Sequence, residues 1–435
     1  MFAICDLVVT NGSHESPNSG FLASVLELYG NDTILLYGER DHIHVIKNRV
    51  VSHGFDDSNL IMRPLFHVSQ SAAPIGFMCA FWVCLKMLFE LKKNGCDTLL
   101  VLGCQPAHFY ILKFLLSLNF FSRINIVFIL HGYLEELAKT SGEITQLIPF
   151  DTPPASQPCW WRKFAALSWK DIFIKTLRIA GRKVKQFYSR FQGWHPILFH
   201  FSVTGSLLYK KSHRFRYIVL SDHILTRLRK YVDLDSLGIS SITMPSLFST
   251  PPHLPNNDHA KFAIFGFGNS GMLQRLNMAL ASMDIQNDYE IRIVGMDGRG
   301  IEPYPNVTQP VKGFLAREQM EELIQDVDMF LILYEDFRYK LSCSASIIEA
   351  HCYAKPILYL ANECIDFFNP PHCPIGISCR DAESMAEEIQ KIVNNYQESK
   401  NNLHQYYDNI LIRRQEIDIM NSLPKLKQVL TFTEQ

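Results

Sequence analysis

The stretch FLILYEDFRYKLSCSASIIEAHCYAKPIL, residues 330–358, decides the fold predicted for this chain. Residues Phe330–Tyr334 form an apolar run that is long enough for one buried strand. A polar loop follows, and Ser342, Ser344 and Ser346 then precede apolar residues at helical spacing, which predicts a helix that begins near Ser344. The helix ends at a Lys-Pro pair, before a second apolar run. This order of strand, loop, helix and strand predicts one βαβ unit of a parallel sheet.

The junction between the loop and this helix is the expected ligand site of the unit. It lies at the carboxyl end of a strand, where open α/β sheets bind ligands. Backbone N–H groups at a helix start suit a phosphate, and the hydroxyls of Ser344 and Ser346 would add donors. Glu349, in the second turn, is placed to reach ribose hydroxyls. The alternative is that the serines only cap the helix and that Glu349 is a solvated surface residue.

The order of these residues resembles the nucleotide-sugar site of GT-B glycosyltransferases of the large group 1 family. In that family a Ser-Gly-Ser-type turn leads into a helix that carries Glu-Ala and ends at Lys-Pro. Ser342-Cys343-Ser344, Glu349-Ala350 and Ala354-Lys355-Pro356 match that order. Cys343 stands where the family usually has Gly, and Leu341 falls where its first acidic residue is expected, so the paired-glutamate signature is half present.

The resemblance implies an α/β fold of GT-B architecture, with two Rossmann-like domains that face each other across a cleft. Residues 1–248 would form the acceptor-binding domain, with an insertion at about 150–215, and 249–259 would be a linker. Residues 260–401 would bind the nucleotide sugar, and 402–435 would supply a helix that packs back on the first domain. Pro424 is expected to break off a last short piece after a helix over 402–420.

A glycine-rich loop follows the first predicted strand of the second domain, in the sequence AIFGFGNSG. Gly266 and Gly268 would let the backbone approach a ligand closely, although a simple strand-to-helix turn explains them equally well. The resemblance implies a basic residue in this region against the pyrophosphate. Arg275 is the candidate for that role.

The chain begins with a buried-strand pattern, a polar segment TNGSHESPNSG at 10–20 and a helix. No GxGxxG motif is present, so the dinucleotide fingerprint is absent. We interpret 10–20 as a loop, which in GT-B enzymes faces the cleft, so Ser19 and Gly20 are candidates for donor or acceptor contact; a plain surface loop is the alternative. Residues 42–46 are interpreted as a short strand.

A histidine follows the apolar run NIVFIL at 125–130. His131 would lie at the carboxyl tip of a parallel strand, where its pKa range suits general base catalysis or hydrogen bonding to a sugar. The resemblance favours a position beside the transferred sugar, and the alternative is a histidine that bonds only local backbone. Glu135 or Glu136 could serve as the catalytic base if the enzyme inverts.

The segment 160–201 has an unusual composition, because it holds four of the five tryptophans. Between 160 and 190 nine Lys and Arg residues stand against one acid. Aromatic and basic residues alternate at helical spacing, which is typical of a helix in a membrane interface. The candidates for contact with an anionic membrane surface are Trp169, Phe173, Lys175, Arg178, Arg182 and Lys185. The alternative is a helix docked on its own domain.

The composition of the 435 residues, with 47% hydrophobic and 20% charged residues, suits two globular domains. A net charge of −1 gives no support for nucleic acid binding. Eleven scattered cysteines without a CxxC pair predict reduced thiols in the cytoplasm, and no spacing predicts a metal site. The start of the chain lacks a secretory pattern, and residues 73–89, interrupted by Lys86, predict a buried amphipathic helix.

These observations together predict an enzyme, a glycosyltransferase. It would move a sugar from a nucleotide-sugar donor to a glycan or lipid-linked acceptor in the synthesis of a surface polysaccharide. We expect no cofactor besides the donor, and a cytoplasmic location at the inner face of the cell membrane. A nucleotide-sugar epimerase of the same fold and a non-catalytic sugar-nucleotide or membrane-binding subunit are the alternatives, and the incomplete acidic signature favours the latter somewhat.

Overall fold

The computed structural model describes most of the chain outside the basic aromatic segment. The described residues are 1–8, 14–65, 74–121, 123–135, 137, 207, 212–249, 253–266, 268–296, 303–308, 315 and 317–432. Residues 160–201, Glu136 and the six predicted membrane-contact residues lie outside them.

The first half of the chain forms a parallel sheet. Its strands are β1 (Phe2–Asp6), β2 (Ile34–Gly38), β3 (Leu60–Pro64), β4 (Thr98–Gly103), β5 (Asn125–Ile129), β6 (Phe215–Val219) and β7 (Ile239–Ser241). In the part of the chain that the structure describes, their order is β3-β2-β1-β4-β5-β6-β7, and every neighbouring pair is parallel. Parallel strands need crossover connections, so helices cover both faces of this sheet.

The second half of the chain forms a smaller parallel sheet. Its strands are β8 (Ala260–Phe265), β9 (Tyr289–Val294), β10 (Met329–Ile332), β11 (Ile357–Leu360) and β12 (Gly376–Cys379). Among the described residues their order is β12-β11-β10-β8-β9, again with parallel pairs throughout. The predicted α/β fold class and the βαβ unit at 330–358 are confirmed.

Helices connect most consecutive strands of the two sheets. In the described residues they are α1 (Glu15–Tyr29), α2 (Arg40–Ser52), α3 (Pro74–Lys93), α4 (Pro106–Leu116), α5 (Asp222–Leu228), α6 (Leu234–Leu237), α7 (Ser270–Ala281), α8 (Arg317–Ile324), α9 (Ala345–Cys352), α10 (Glu363–Phe368), α11 (Ala382–Asn394), α12 (Tyr396–Ile417) and α13 (Ile419–Leu430). None of these described helices is long and apolar enough to cross a membrane.

Alternate side chains of the second sheet enter two different cores. Phe265 and Phe330, whose rings stack at 4.6 Å, pack with the side chains of α9 and α10. Phe262 and Leu331 point to the other face and pack with α7 and α11. This period of two is the pattern of a strand buried on both faces, and it packs α9 against the face that carries Phe265 and Phe330.

The end of the chain packs against the first domain. The guanidinium of Arg216 on β6 donates to the backbone carbonyls of Val429 and Thr431 at 2.7 and 2.8 Å, and α13 packs against α1. Our prediction for this region was wrong in detail, because Pro424 lies inside α13. The break falls instead at Asp418, whose side chain accepts a hydrogen bond from Met420 N and so caps the new helix.

Two further predictions of secondary structure were wrong. Residues 42–46 belong to α2 and not to a strand, and the buried side chains of Ile43, Ile46 and Val50 have helical spacing. The helix α1 begins at Glu15, so residues 15–20 of the segment interpreted as a loop are helical.

Candidate functional site

Each sheet has one point at which the strand order reverses. In the first sheet it lies between β1 and β4, and in the second between β8 and β10. The helices that follow such neighbouring strands go to opposite faces, which leaves a crevice at the carboxyl ends of the strands. The turn after β8 and the start of the helix after β10 lie at the second of these crevices.

The turn after β8 contacts the start of α9. Gly266 has a φ of +77°, and a Cβ atom placed on it would lie 2.0 Å from the Oγ of Ser346. The amide of Gly268 donates to the carbonyl of Gly266 at 2.9 Å, which closes the turn tightly. The structure therefore brings together two candidates that are 80 positions apart, Gly266 and Ser346, and only glycine fits at the first of them.

The hydroxyls of Ser344 and Ser346 both bond to a buried tyrosine. Tyr334, just beyond β10, accepts from the Oγ of Ser344 at 3.1 Å and donates to the Oγ of Ser346 at 2.8 Å. The Ser344 hydroxyl therefore uses its proton on a phenol enclosed in the core, whereas the Ser346 hydroxyl accepts from that phenol and keeps its own proton. Contact of these serines with a phosphate stays a prediction. At this junction an anion could bind the backbone N–H groups of the first turn of α9.

Glu349 lies next to a fixed cation. One Nη of Arg317, at the start of α8, is 3.2 Å from the Oε2 of Glu349, and the Nε of Arg317 is 3.2 Å from Glu321. Burial of the guanidinium disfavours its charge, but the Glu349 carboxylate raises the pKa of Arg317 above its ordinary value. Arg317 was missed from the sequence, because its separation of 32 residues from Glu349 follows no local pattern.

Arg275 lies on the exposed side of the second turn of α7. Asn269 caps that helix by accepting hydrogen bonds from the amides of Gly271 and Met272 at 2.8 and 3.1 Å. The side-chain amide of Asn269 in turn donates to Glu335, in the loop after β10. This bond ties the glycine-rich turn to the loop that leads into α9, on the two sides of the crevice.

In the first domain, His131 follows β5 as predicted. Its ring is partly exposed, but its Nε2 atom is enclosed and has no hydrogen-bond partner among the described residues. The ring of His14, which precedes α1, lies 5.1 Å away from it, centroid to centroid. Burial, and then the neighbouring His14, lower the pKa of His131 to about 3, so the ring is neutral at physiological pH.

A buried polar cluster that the sequence analysis missed lies beside His131. Asp6, at the end of β1, accepts hydrogen bonds from the amide of Val8 at 2.9 Å and from Asn18 at 2.7 Å. The same Asn18 nitrogen is 3.0 Å from the Nε2 of His42 on α2. The signal in the sequence was a charged residue that ends the apolar strand FAICD.

Ser19 and Gly20 do not lie in a loop, which corrects their predicted setting. Both are buried in the second turn of α1. A Cβ on Gly20 would lie 2.1 Å from the carbonyl oxygen of Pro245, so glycine is needed where α1 crosses the chain that leaves β7. The Oγ of Ser19 is enclosed without a partner in the described part of the chain, and it is the one polar atom of this pair that a ligand could use.

Glu135 connects the two domains. It lies just after β5 with 4% of its surface exposed, and its Oε1 accepts from the amide of Leu341 at 2.7 Å and from the Oγ of Ser342 at 2.8 Å. Burial raises the pKa of Glu135, and the two hydrogen bonds counteract that rise. The carboxylate therefore holds the loop before α9 instead of facing open solvent.

No protein-family model matches this chain, and no curated protein is similar in sequence. Solved structures do match over almost the whole length. HepE of Anabaena, solved in complex with UDP-glucose, is 13% identical over 99% of each chain, with a TM-score of 0.56. A glycosyltransferase of Rickettsia africae is 12% identical over 99% of each chain, with a TM-score of 0.55. The chain has the GT-B fold. UGT89C1 of Arabidopsis thaliana in complex with UDP shares this GT-B fold at 10% identity and a TM-score of 0.51, over 99% of this chain and 100% of that chain.

Proposed function

We propose that this protein is a glycosyltransferase that moves a sugar from a nucleotide-sugar donor, bound by the second domain, to an acceptor bound by the first. The observation that carries the proposal is the start of α9. It lies at the strand-order reversal of the second sheet, with the Gly266 turn against it and Glu349 in its second turn. This is the setting in which α/β sheets bind phosphorylated ligands.

The donor diphosphate would bind the free N–H groups of the first turn of α9. Arg275, which is exposed on the second turn of α7, would approach the diphosphate from that helix. Positive groups in these positions stabilise the charge that develops on the leaving diphosphate. Glu349, which lies 3.2 Å from the guanidinium of Arg317, would accept hydrogen bonds from the ribose hydroxyls.

His131 would contact the transferred sugar from the opposite domain. A neutral imidazole whose Nε2 has no partner among the described residues can exchange hydrogen bonds with sugar hydroxyls. Leu341 and Ser342 both bond the Oε1 of Glu135, so Glu135 would act as the catalytic base through Oε2 or after it releases them. In the state described, Glu135 positions the loop before α9, residues 335–344, which we call the donor loop.

We further propose that the acceptor is lipid-linked and that the protein works at an anionic membrane face. Exposed apolar side chains along α3 support this, since Trp82 is 60% exposed and Met78 and Phe89 accompany it. Lys86 and Lys93 are exposed on the same helix. Aromatic and basic residues on one helix are typical of interfacial contact. The predicted contact residues between Trp169 and Lys185 lie outside the described part of the chain, and their role stays a prediction.

The experiment that tests this function is a transfer assay on the purified full chain. UDP-, GDP-, CMP- and dTDP-sugars labelled in the sugar are incubated with and without a membrane extract. Transfer of label to the lipid fraction from one of these donors is the expected result. Conversion of the free donor into another sugar nucleotide without the extract would instead support an epimerase. Binding without turnover would support a non-catalytic subunit.

A further inference from the structure

A buried tyrosine to which the proposed reaction assigns no role binds the start of α9. Tyr334 lies two positions beyond β10, and 1% of its surface is exposed. Its hydroxyl accepts a hydrogen bond from the Oγ of Ser344 at 3.1 Å and donates to the Oγ of Ser346 at 2.8 Å. Both serines belong to the start of α9, so one phenol holds two side chains at the place where the proposed function puts the donor diphosphate.

Ser344 is the N-cap residue of α9, but its side chain does not cap the helix. Its backbone has the extended conformation of an N-cap, with a φ of −80° and a ψ of 125°, whereas its Oγ accepts no hydrogen bond from the described residues of the first turn. A serine in this position ordinarily accepts from the second or third amide of the helix. The start of α11 shows the ordinary arrangement, since Asp381 accepts from the amide of Ser384 at 2.8 Å. At α9 the bond from Ser344 to Tyr334 replaces that cap.

The phenol of Tyr334 is fixed on both sides. Burial raises the pKa of Tyr334, so its hydroxyl keeps the proton that it donates to Ser346. The Oγ of Ser346 lies against the turn after β8, since a Cβ atom on Gly266 would be 2.0 Å from it. The ring of Tyr334 packs on the ring of Tyr339, with centroids 4.8 Å apart. Because Tyr334 gives its one proton to Ser346, it can only accept from Ser344.

The position of the Ser344 hydroxyl decides what the first turn of α9 can bind. The first N–H groups of a helix have no partner within the helix, so an N-cap side chain and an anion compete for them. A Ser344 hydroxyl that turned toward the helix would occupy one of these groups. While Tyr334 holds the Oγ of Ser344, the N–H groups of the first turn stay available to an anion.

We propose that Tyr334 is a positioning residue of the donor site, which holds the hydroxyl of Ser344 away from the helix start and keeps the N–H groups of the first turn of α9 free for the diphosphate of the nucleotide sugar. This consequence for the ligand rests on the proposed function. The position of the Ser344 hydroxyl is a property of the free chain, so it can be measured without a ligand.

The first measurement is amide hydrogen exchange of the free full chain with Tyr334→Phe. This variant removes only the hydroxyl and keeps the ring against Tyr339. Ser344 is then released to cap α9, so exchange at the amides of Ser346 and Ile347 should become roughly three- to tenfold slower than in the wild type. A tyrosine that only fills the core predicts the opposite, because the loss of its hydroxyl loosens the start of α9 and speeds exchange.

The second measurement is isothermal titration of the full chain with UDP, GDP and dTDP. For the diphosphate that the wild type binds, Tyr334→Phe should bind roughly three- to tenfold more weakly, since the ligand must displace the new cap. Adding Ser344→Ala to Tyr334→Phe should restore most of the lost affinity, because alanine cannot cap the helix. Tyr359→Phe is the matched control. Tyr359 is equally buried on β11, its hydroxyl bonds Asp366 at 2.7 Å, and its loss should change neither the affinity nor the exchange at α9.

Three results would each overturn the proposal. They are faster exchange at the start of α9 in Tyr334→Phe, an affinity of that variant equal to the wild type, and a double variant that binds no better than Tyr334→Phe alone. A wild-type chain that binds none of the three diphosphates, together with slower exchange in the free Tyr334→Phe chain, would count against the proposed function. The assigned position of the Ser344 hydroxyl would stand in that case.

Discussion

At the scale of single residues, the Glu349–Arg317 ion pair is the most specific feature of the candidate donor site. Glu349 can still accept from a ligand, because Arg317 occupies only one of its oxygens in the contacts described. The contact with Arg317 fixes the position of the Glu349 carboxylate, whose hydrogen bonds to ligand hydroxyls would be charge-assisted.

Replacement of Glu349 by Ala should weaken the binding of the nucleotide sugar roughly ten- to a hundredfold. The reason is the loss of charge-assisted hydrogen bonds, worth about 1.5–3 kcal/mol. Isothermal titration of the purified variant measures this. Glu321→Ala is the matched control, since it also removes a carboxylate from Arg317 but lies on α8. Equal affinity for Glu349→Ala and the wild type would remove Glu349 from the site.

Local sequence patterns were sufficient for some residues and insufficient for others. The serines, the apolar spacing and the Lys-Pro pair predicted a helix near Ser344, and α9 begins directly after Ser344 and ends before Lys355. Asp6 and Asn18 could not be found in this way, because their contact depends on how α1 crosses β1. Long-range packing of this kind leaves no periodic trace in the sequence.

At the scale of elements, tertiary packing overrides local propensity in α1. The segment ESPNSG at its start holds residues that favour loops, yet it is helical and buried. Its stability comes from the close contact of Gly20 with Pro245 and from the cluster around Asp6. The segment in α2 was mistaken for a strand for a related reason, since its β-branched residues favour strands although their spacing is helical.

The turn between β8 and α7 should depend on Gly266. Gly266→Ala would have to adopt a left-handed backbone, which costs about 1–2 kcal/mol, and would also displace Ser346. We expect a free energy of unfolding lower by about 2 kcal/mol or more, measured by urea denaturation. Gly132→Ala is the control, because a Cβ there meets no atom within 4 Å and should change stability by less than about 0.5 kcal/mol. Equal stability of the two variants would show that the turn is not constrained.

The exposed face of α3 should contribute to membrane binding. Trp82→Ser should weaken association with anionic vesicles at every salt concentration, since it removes apolar area. Replacement of Lys86 and Lys93 by Gln should weaken it mainly at low salt, because charge attraction is screened. Met278→Ser is the matched control, as Met278 is 63% exposed but lies on α7 of the second domain. If flotation recovers no wild-type protein with anionic vesicles at low salt, the proposed membrane contact is wrong.

At the scale of the whole molecule, the two domains contact each other through polar side chains next to the donor loop. Glu135 reaches Leu341 and Ser342, and Arg227 on α5 is 2.5 Å from Glu363 on α10. The terminal helix α13 adds a second contact between the halves of the chain. Because Glu135 bonds the loop that leads into α9, closure of the cleft and order at the donor site are expected to be coupled.

The architecture of two Rossmann-like domains followed from the alternation of strands and helices and from the resemblance at 330–358. The way in which the two domains contact each other could not be predicted from the sequence. It depends on contacts such as Glu135–Ser342, whose residues are 207 positions apart. The sequence therefore predicted the fold and the position of α9, whereas the contacts between the domains required the structure.

The central claim is that a nucleotide sugar binds at the start of α9. Amide hydrogen exchange of the full chain, with and without UDP-glucose and then GDP-, CMP- and dTDP-sugars, tests it most directly. For the sugar nucleotide that binds, we expect slower amide exchange in peptides that cover the first two turns of α9 and the turn after β8. Binding with protection confined to the first domain, or no protection by any of the four classes, would contradict it.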